Sequence, residues 1–403
     1  MTGAVRPLSG GYRLGLRPSN DSAYCGYDPG VASEVLDLFL ELAALPSPSG
    51  RERVVAERVE REVRDLGLRP DVDASGALVG SDTGNLYARI EPTSASGGVP
   101  IFFCAHFDTV PPVGPIEPVV DGGVVRNGAR TILGADNKAA VAAMLEAVRR
   151  VLVENRPHAG IELVFTTREE TGCQGAAAFD ASRLAGRAGF VYDHAAPIGD
   201  LVLSAPFQRT IDASFRGRSA HAGINPEDGR SAIAAAARAV ADLRLGRIDA
   251  ETTANVGRIE GGTARNVIPD ECRLVAEARS RDERKLVALV QEMLDTFTFA
   301  ATVTDCEVET SLEELYRGYR LDRDDPALRL ATAALERTGF EPRGVAVGGG
   351  ADANIFNARG IPCVVLANGM TDIHGPDEHI AVADLEAMVE VTLAIVELAR
   401  DAG

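Results

Sequence analysis

The sequence lacks any stretch that is apolar and long enough to direct the chain across a membrane or anchor it there. Residues 1–20 contain no apolar core of signal-peptide length. No later segment reaches the run of about 20 apolar residues that a membrane-spanning helix needs. We therefore expect a cytoplasmic protein without a membrane partner.

Basic residues are also in short supply. The 403 residues include 41 Lys and Arg against 59 Asp and Glu, which leaves a formal net charge of −18 at pH 7. The corresponding pI is about 4.9. A surface with this surplus of negative charge repels polyanions, so the composition argues against nucleic acid and anionic membranes as partners.

Cysteine is sparse and irregularly spaced, at positions 25, 104, 173, 272, 306 and 363. This spacing matches neither a zinc finger nor the disulfide framework of a small secreted domain. We therefore predict six reduced thiols.

The order of the apolar patterns predicts two domains, one inserted into the other. Strands and helices alternate over residues 31–200 and again over 309–403, which is typical of an α/β sheet with helices on both faces. Residues 201–308 instead show the pattern of a compact α+β unit. A chain of this length exceeds what one hydrophobic core normally organises. Residues 1–30, rich in Gly, Pro, Ser and Tyr, are predicted to be an extension whose role the sequence does not indicate.

The segment IFFCAHFDTVPP at 101–112 places a histidine and an aspartate at the end of an apolar strand. Its apolar start suits a strand buried on both faces, and the two prolines stop it. His106 and Asp108 could be a hydrogen-bonded pair that closes the strand. They could also be a metal-binding imidazole and the carboxylate that orients its second ring nitrogen. The segment alone favours the first interpretation.

Further polar residues follow the other predicted strand ends or open a helix, namely Asp136, Glu169, Glu170, Asp193 and His374. In an open α/β sheet, ligands bind outside the carboxyl ends of the strands, so these side chains are expected to converge. Converging carboxylates need a cation, because buried unpaired charge is costly. Mixed nitrogen and oxygen ligands favour zinc, with cobalt or manganese as substitutes. The number of ligands predicts two metals that share a carboxylate, roughly 3.5–4 Å apart.

Several of these residue types also have plainer interpretations. Adjacent glutamates are often a solvated charge pair, but at a strand end one can bind metal while the other takes a proton from the attacking water. His379 is a rival to His374 as a ligand, whereas His158 and His194 are interpreted as hydrogen-bonded bystanders. The GGGADA segment at 348–353 fits a dinucleotide-binding pattern, but the next strand supplies no acidic ribose partner. We therefore predict that this segment forms a wall of the site.

Taken together, the motifs resemble those of the M20 metallopeptidases, most closely the peptidase T-like branch. The segments, in the order in which that family has them, are HFDTVPP, GADNKAAVAAML, TREETGCQGA, SAHAGINPEDGRSAI, RIEGGTARNVIPD, GGGADANIFNARGIP and IHGPDEHI. The match covers roughly residues 33–400. It implies a zinc-peptidase-type catalytic domain with a mixed sheet and flanking helices, plus an inserted lid and dimerisation domain.

The resemblance also implies a role for each site residue. One zinc ion is expected on His106 and Asp193 and the other on Glu170 and His374, with Asp136 bridging the two. The remaining implied roles are the general base for Glu169, orientation of His106 for Asp108, the oxyanion donor in the partner's site for His221, and substrate binding for Asn266 and Arg279. From its sequence alone, Arg279 could equally be a surface residue at a strand end. A cis peptide is expected after Asp136.

The function implied is hydrolysis of the amide bond of small peptides by a two-zinc homodimer that associates through residues 201–308. An aminopeptidase that acts on tripeptides is the expected type. A carboxypeptidase, a dipeptidase or a deacylase of N-acyl amino acids is the alternative. A non-catalytic binding protein is a third possibility, against which the complete set of ligands and the intact Glu169 count.

Overall fold

A computed structural model describes residues 33–93 and 97–402 of the chain. The predicted extension over residues 1–30, with Cys25, lies outside the described residues. Helices, in chain order, are α1 (Glu34–Ala43), α2 (Arg53–Asp65), α3 (Ser75–Val79), α4 (Ala135–Val153), α5 (Gln174–Ala178), α6 (Ala232–Asp242), α7 (Glu283–Val303), α8 (Pro326–Arg337), α9 (Asp352–Ala358) and α10 (Val382–Asp401). Strands are β1 (Asp71–Val72), β2 (Leu86–Ile90), β3 (Ile101–His106), β4 (Pro118–Asp121), β5 (Val124–Asn127), β6 (Ile161–Thr166), β7 (Ala188–His194), β8 (Asp200–Ala205), β9 (Phe207–Arg216), β10 (Gly246–Arg247), β11 (Thr252–Gly261), β12 (Glu271–Ser280), β13 (Glu307–Tyr316), β14 (Tyr319–Arg320), β15 (Arg343–Ala346), β16 (Cys363–Ala367) and β17 (His379–Ala381).

The large sheet is mixed, as predicted, and runs β1-β2-β6-β3-β7-β16-β8-β14, with β15 paired to β8. Its centre is parallel: β3 pairs with β6 and β7, and β16 pairs with β7 in the same sense. Every residue of β3 is buried because a central parallel strand has helices against both faces. The carboxyl ends of β3, β6 and β7 therefore meet at one edge of the sheet.

Two apolar clusters cover the faces of this sheet. Side chains alternate along a strand, so the neighbours Phe102 and Phe103 enter different clusters. Phe103 belongs to the cluster formed with α1, α2, α4, α8 and α10. Phe102 packs with Phe179 and with Phe356 of α9 in the opposite cluster. The predicted α/β architecture with helices on both faces is thus confirmed.

The small sheet runs β10-β11-β12-β9-β13, and its pairings are antiparallel. Helices α6 and α7 pack against it. Alternate residues of β12, including Leu274 and Ala276, enter an apolar core with Phe215, Met293 and Phe297. The intervening residues of β12 lie on the other face, which is consequently free to meet a ligand.

The strand pairings place the ends of the small sheet at different residues from the ends of the predicted insertion. Strand β8 hydrogen bonds within the large sheet, so the change of sheet falls after Ala205 and not at residue 201. Strand β13 continues to Tyr316 in the small sheet, beyond the predicted end at 308. The division into two domains remains a prediction.

One expectation about long apolar segments is wrong. Among the described residues, α7 has the length and apolar composition that a membrane-spanning helix requires. One side of it, including Leu286, Met293 and Phe297, is buried against the small sheet. Asp282 caps the N-terminus of the helix, and its carboxylate accepts hydrogen bonds from the N–H groups of Arg284 and Lys285. These contacts account for the apolar character of α7 as the core helix of this unit.

Candidate active site

The predicted ligands come together at the carboxyl edge of the central strands. His106 is the last residue of β3, and Asp193 lies near the end of β7. Glu169 and Glu170 occupy the turn after β6, while Asp136 lies in the first turn of α4. His374 lies in the loop that follows β16. The sheet topology therefore gathers residues that are up to 268 positions apart in the sequence.

Asp136 lies between the two histidines. The Nε2 atom of His106 is 3.2 Å from Oδ1 of Asp136, and the Nε2 atom of His374 is 3.2 Å from Oδ2. On the outer sides, Nε2 of His106 is 3.6 Å from Oδ1 of Asp193, and Nε2 of His374 is 3.0 Å from Oε1 of Glu170. The result is two nitrogen-and-oxygen clusters that share one carboxylate.

These side chains have the properties of a metal site. The ligand atoms of His106, Asp136 and Glu170 all lie within 4.8 Å of one another, as do those of His106, Glu169 and Asp193. Oδ1 of Asp136 is buried and has no hydrogen-bond partner among the described residues. A buried carboxylate oxygen without a donor, facing an imidazole nitrogen, is an atom that a cation would satisfy. The residues present therefore fit a pair of divalent ions.

The backbone around Asp136 is fixed by one buried carboxylate. Glu378 accepts hydrogen bonds from the N–H groups of Leu133, Gly134 and Asp136 at 2.8, 3.0 and 3.0 Å. The peptide bond between Asp136 and Asn137 is cis, as expected. Glu378 thus holds the turn that presents Asp136 to both histidines.

Asp108 contributes differently from the prediction. The nearest oxygen to Nδ1 of His106 is the backbone carbonyl of Asp108 at 2.8 Å, while the carboxylate oxygen Oδ1 is 3.5 Å away. The carboxylate instead accepts hydrogen bonds from the N–H groups of Glu169 and Glu170 at 2.9 and 3.2 Å, and from Ser49 at 2.6 Å. One residue consequently orients His106 through its carbonyl and holds the glutamate turn through its side chain.

The acid–base properties reflect buried negative charge. Burial and the charge of Asp193 raise the pKa of Glu169 well above its usual value. Burial likewise raises the pKa of Asp193 to about 8, against the opposing effect of His106. Burial alone would raise the pKa of Asp136, but the adjacent imidazoles of His106 and His374 outweigh it and hold that pKa well below its ordinary range. Hydrogen bonds with Asp136 and Glu170 raise the pKa of His374 to about 10. The carboxylates thus compete for the few positive charges nearby.

The cluster opens into a cavity of about 820 Å³ between the two sheets. Asp136, Glu169, Glu170, Asp193 and His374 line one side. The other side is lined by Gln208, Glu277, Arg279 and Tyr316 of the small sheet, together with the loop 348–350. The GGGADA segment is therefore a wall of this cavity, as predicted.

The predicted substrate residues are split between two places. Arg279 lines the cavity, but His221 and Asn266 are exposed and lie outside its lining. These two belong to adjoining loops, since the N–H of Ala222 donates to the carbonyl of Asn266 at 3.0 Å. Within the described residues, the chain does not bring His221 to its own metal cluster, and its role remains a prediction.

The other histidines make local contacts. Nδ1 of His379 is 2.8 Å from the carbonyl of Asp377, and its backbone joins β17. His158 is buried and accepts a hydrogen bond from the N–H of Gly160 at 3.3 Å. Nε2 of His194 is 4.0 Å from Oδ2 of Asp200. His374 is thus the C-terminal histidine that contacts the acidic cluster.

Sequence reasoning missed residues that surround the proposed base. The thiol of Cys173 donates to Oε1 of Glu169 at 3.3 Å. Asp352 is buried, accepts from the hydroxyl of Thr166 at 2.5 Å, and has ligand atoms within 4.8 Å of those of Glu169 and Cys173. The available indication was an aspartate directly after the glycine-rich loop, at the start of α9. Sequence reasoning also gave no role to Glu378, which supports the Asp136 turn.

The fold and the clustered ligand groups are those of a metallopeptidase. The sequence profile of peptidase family M20/M25/M40 matches residues 102–398, and the chain belongs to this family. It is therefore a hydrolase of the peptidase class, and the resemblance seen in its motifs is confirmed.

Relatives extend the match over nearly the whole chain. Protein YqjE of Bacillus subtilis (strain 168) is 38% identical over 363 residues, which are 90% of this chain and 97% of the relative. The structure of aminopeptidase PepT from Bacillus cereus ATCC 10987 is similar with a TM-score of 0.80 and 38% identity, over 90% of this chain and 97% of that one. A tripeptidase from Staphylococcus aureus subsp. aureus Mu50 has a TM-score of 0.85 and 32% identity, over 91% and 98% of the two chains.

Proposed function

We propose that this protein is a metal-dependent aminopeptidase that releases the N-terminal residue of small peptides, with tripeptides as the preferred class. The observation that carries the proposal is the position of Asp136, whose two carboxylate oxygens each lie 3.2 Å from a histidine Nε2. The solved relatives described as an aminopeptidase and as a tripeptidase support the substrate class.

The residues assigned to the metals follow the two halves of the cluster. His106 and Asp193 would hold one ion, Glu170 and His374 the other, and Asp136 both. Zinc is the proposed metal, because imidazole and carboxylate ligands suit it, and cobalt or manganese are possible substitutes. When bound, the two ions supply Lewis-acid polarisation of the scissile carbonyl and lower the pKa of water.

Glu169 is the proposed general base. Its carboxylate lines the cavity next to the cluster, and the carboxylate of Asp108 holds its N–H at 2.9 Å. Burial raises the pKa of Glu169, which suits a group that must take a proton from the attacking water and deliver it to the leaving amine. The thiol of Cys173 donates to Oε1, so one oxygen is oriented while the other can accept the proton.

His221 and Asn266 are assigned to a second copy of the chain. Both are exposed, adjoin each other and lie outside the chain's own cavity. We propose a homodimer formed through the small sheet and its helices, in which each His221 donates to the oxyanion in the other chain's cavity. A cytoplasmic location remains part of the proposal.

The test is reconstitution of metal-free protein with zinc, cobalt or manganese, followed by assay against tripeptides, dipeptides and N-acyl amino acids with product identification. Release of the N-terminal residue from tripeptides is expected. Preferential release of a C-terminal residue, or hydrolysis confined to N-acyl amino acids, would replace the aminopeptidase assignment with one of the alternatives. Glu169→Gln is the inactive control, and Glu336→Gln on the exposed face of α8 is the matched neutral control.

A further inference from the structure

The turn that carries the two adjacent glutamates is held by side-chain acceptors from other parts of the chain. The N–H of Thr167 donates to Oδ1 of Asn85 at 3.1 Å, and the N–H of Arg168 donates to Oε1 of Glu52 at 3.2 Å. The carboxylate of Asp108 accepts the two N–H groups that follow. Three side chains thus satisfy four successive backbone donors, which would otherwise be left unpaired beside a buried cluster.

Glu52 makes its hydrogen bonds from a fully buried position directly before α2. Besides the N–H of Arg168, its Oε1 accepts the N–H of Gly50 at 2.8 Å, and its Oε2 accepts the hydroxyl of Ser81 at 2.7 Å. A buried carboxylate needs such donors, because they offset the loss of hydration. This one side chain therefore ties the segment between α1 and α2, and the segment after α3, to the turn that follows β6.

Arg168 adopts a backbone conformation that residues with a Cβ rarely take, since its φ is 54°. Such a conformation costs free energy and persists where neighbouring contacts maintain it. The contacts here are the acceptance of its N–H by Glu52 and the hydrogen bond from its Nε to Oε1 of Gln174 at 2.7 Å. The direction in which the chain enters Glu169 consequently depends on what holds Arg168.

The direction of the turn matters because its two glutamates have different surroundings. Glu169 lines the cavity as the proposed base, whereas Oε1 of Glu170 is 3.0 Å from Nε2 of His374. Catalytic groups must be held within about 0.5 Å of their productive position. A small rotation of the turn would move the base away from the attacking water before it disturbed the ligand.

We propose that Glu52 is a positioning residue for the reaction, which holds the base Glu169 in place by accepting the N–H of Arg168. Glu52 does not line the cavity, so it acts through the turn and not on the substrate. This inference rests on the proposed function in that Glu169 is the base. It adds a residue on which turnover depends, although neither the substrate nor the proposed ligands touch it.

A purely structural role for Glu52 predicts a different result. If its carboxylate only stabilises the packing around α2, its loss should lower Tm and leave kcat of the folded enzyme unchanged. Glu162, at the other end of β6, is the matched control, because it is also buried and does not line the cavity. Its carboxylate likewise accepts two N–H groups and a hydroxyl, from Ala185 at 3.1 Å, Gly186 at 2.7 Å and Tyr87 at 2.5 Å.

The experiment measures kcat, KM, metal content and Tm for Glu52→Gln and Glu162→Gln, each loaded with zinc and assayed on one tripeptide. In Glu52→Gln, kcat should fall about tenfold, as expected when a hydrogen bond to a charged group is weakened, while KM and metal content stay within about twofold. Glu162→Gln should lower Tm to a similar degree but keep kcat within about twofold. Ser81→Ala, which removes one donor to Glu52, should lower kcat about two- to threefold and provides the test should Glu52→Gln fail to fold.

A glycine at position 168 tests whether the effect passes through the turn. Glycine takes a positive φ without the cost that other residues incur, so the turn should depend less on Glu52 in Arg168→Gly. Measured against Arg168→Gly alone, the further change Glu52→Gln should lower kcat by about two- to threefold instead of about tenfold. The lost contact between Arg168 and Gln174 is common to both members of this comparison and cancels.

Several results would overturn the inference. They are an unchanged kcat in Glu52→Gln, an equal fall of kcat in Glu162→Gln, a fall that matches a loss of metal, or the same tenfold fall in the Arg168→Gly background. Each of these would leave the proposed peptidase function intact, because the wild type still cleaves the tripeptide. Absence of cleavage by the zinc-loaded wild type would instead overturn the proposed function, and the inference with it.

Discussion

The two walls of the cavity are built from different kinds of sheet. On one wall, central parallel strands are buried on both faces, and their polar site residues lie at the strand ends, as His106 and Asp193 do. On the other wall, an antiparallel sheet has helices on one face, so residues along its strands, such as Glu277 and Arg279, face the cavity in a row. Strand ends can concentrate ligands around a point, whereas a sheet face presents groups over a length.

This difference predicts separate tasks for the two walls. Groups that act on a single bond must meet at one place, which is where Asp136 lies between His106 and His374. Groups that recognise an extended substrate must be spread along it. Substitutions at the strand ends should therefore reduce metal content or turnover, and substitutions on the sheet face should mainly change KM.

The largest effect is expected from Asp136→Ala. Because this carboxylate faces both histidines, its loss should reduce metal content from about two ions per chain to near zero and abolish activity. Elemental analysis of the purified variant measures this directly. Asp180→Asn, at an exposed carboxylate remote from the cavity lining, is the control. A full metal complement in the Asp136 variant would remove the basis for a shared ligand.

Glu169→Gln should lower kcat by a factor of at least about 10² while leaving metal content near that of the wild type. The change keeps the shape of the side chain but removes the proton acceptor. Glu170→Gln is the informative comparison, since Glu170 contacts His374 at 3.0 Å and its substitution should reduce metal content. If the two variants gave the reverse pattern, the roles of the adjacent glutamates would have to be exchanged.

His221→Ala should lower kcat by about 10²–10³, the effect of losing one oxyanion donor. Mixing this variant with Glu169→Gln under subunit exchange should restore part of the activity. One site of a mixed dimer then has both an intact base and an intact histidine from the other chain. Mixed dimers that form but remain inactive would argue that His221 does not act across an interface.

Glu378→Gln should have a smaller effect, a loss of metal affinity of about 10–100-fold, because it supports a ligand without touching the metals. Glu378 accepts from three backbone N–H groups around Asp136, and an amide accepts these hydrogen bonds less well. Competition with a chelator of known affinity measures the change. Unaltered metal affinity would mean that the turn before α4 keeps its shape without this carboxylate.

The wall made of strand ends could be predicted largely from the sequence. In IFFCAHFD, two polar residues stand out at the end of an apolar run, and the same contrast marks Asp193. The place of Asp352 in the site could not be predicted, because this residue follows a glycine-rich loop and opens a short helix instead of closing an apolar strand. The orientation of His106 was also out of reach, since a backbone carbonyl leaves no trace in the residue pattern.

The wall made of a sheet face could not be predicted in the same way. Gln208, Glu277 and Tyr316 are joined by strand register, and polar residues at alternate positions are ordinary in a half-exposed strand. A role for Arg279 in substrate binding could be predicted only from the family resemblance. The pairing of β8 with the large sheet was out of reach for a similar reason, because apolar alternation does not reveal which sheet a strand joins.

The most direct test is the crystal structure of the zinc-loaded protein, with the ions located by anomalous scattering. Two peaks are expected roughly 3.5–4 Å apart, with one oxygen of the Asp136 carboxylate on each. A single fully occupied peak, or two ions of which Asp136 contacts only one, would contradict the shared-carboxylate centre.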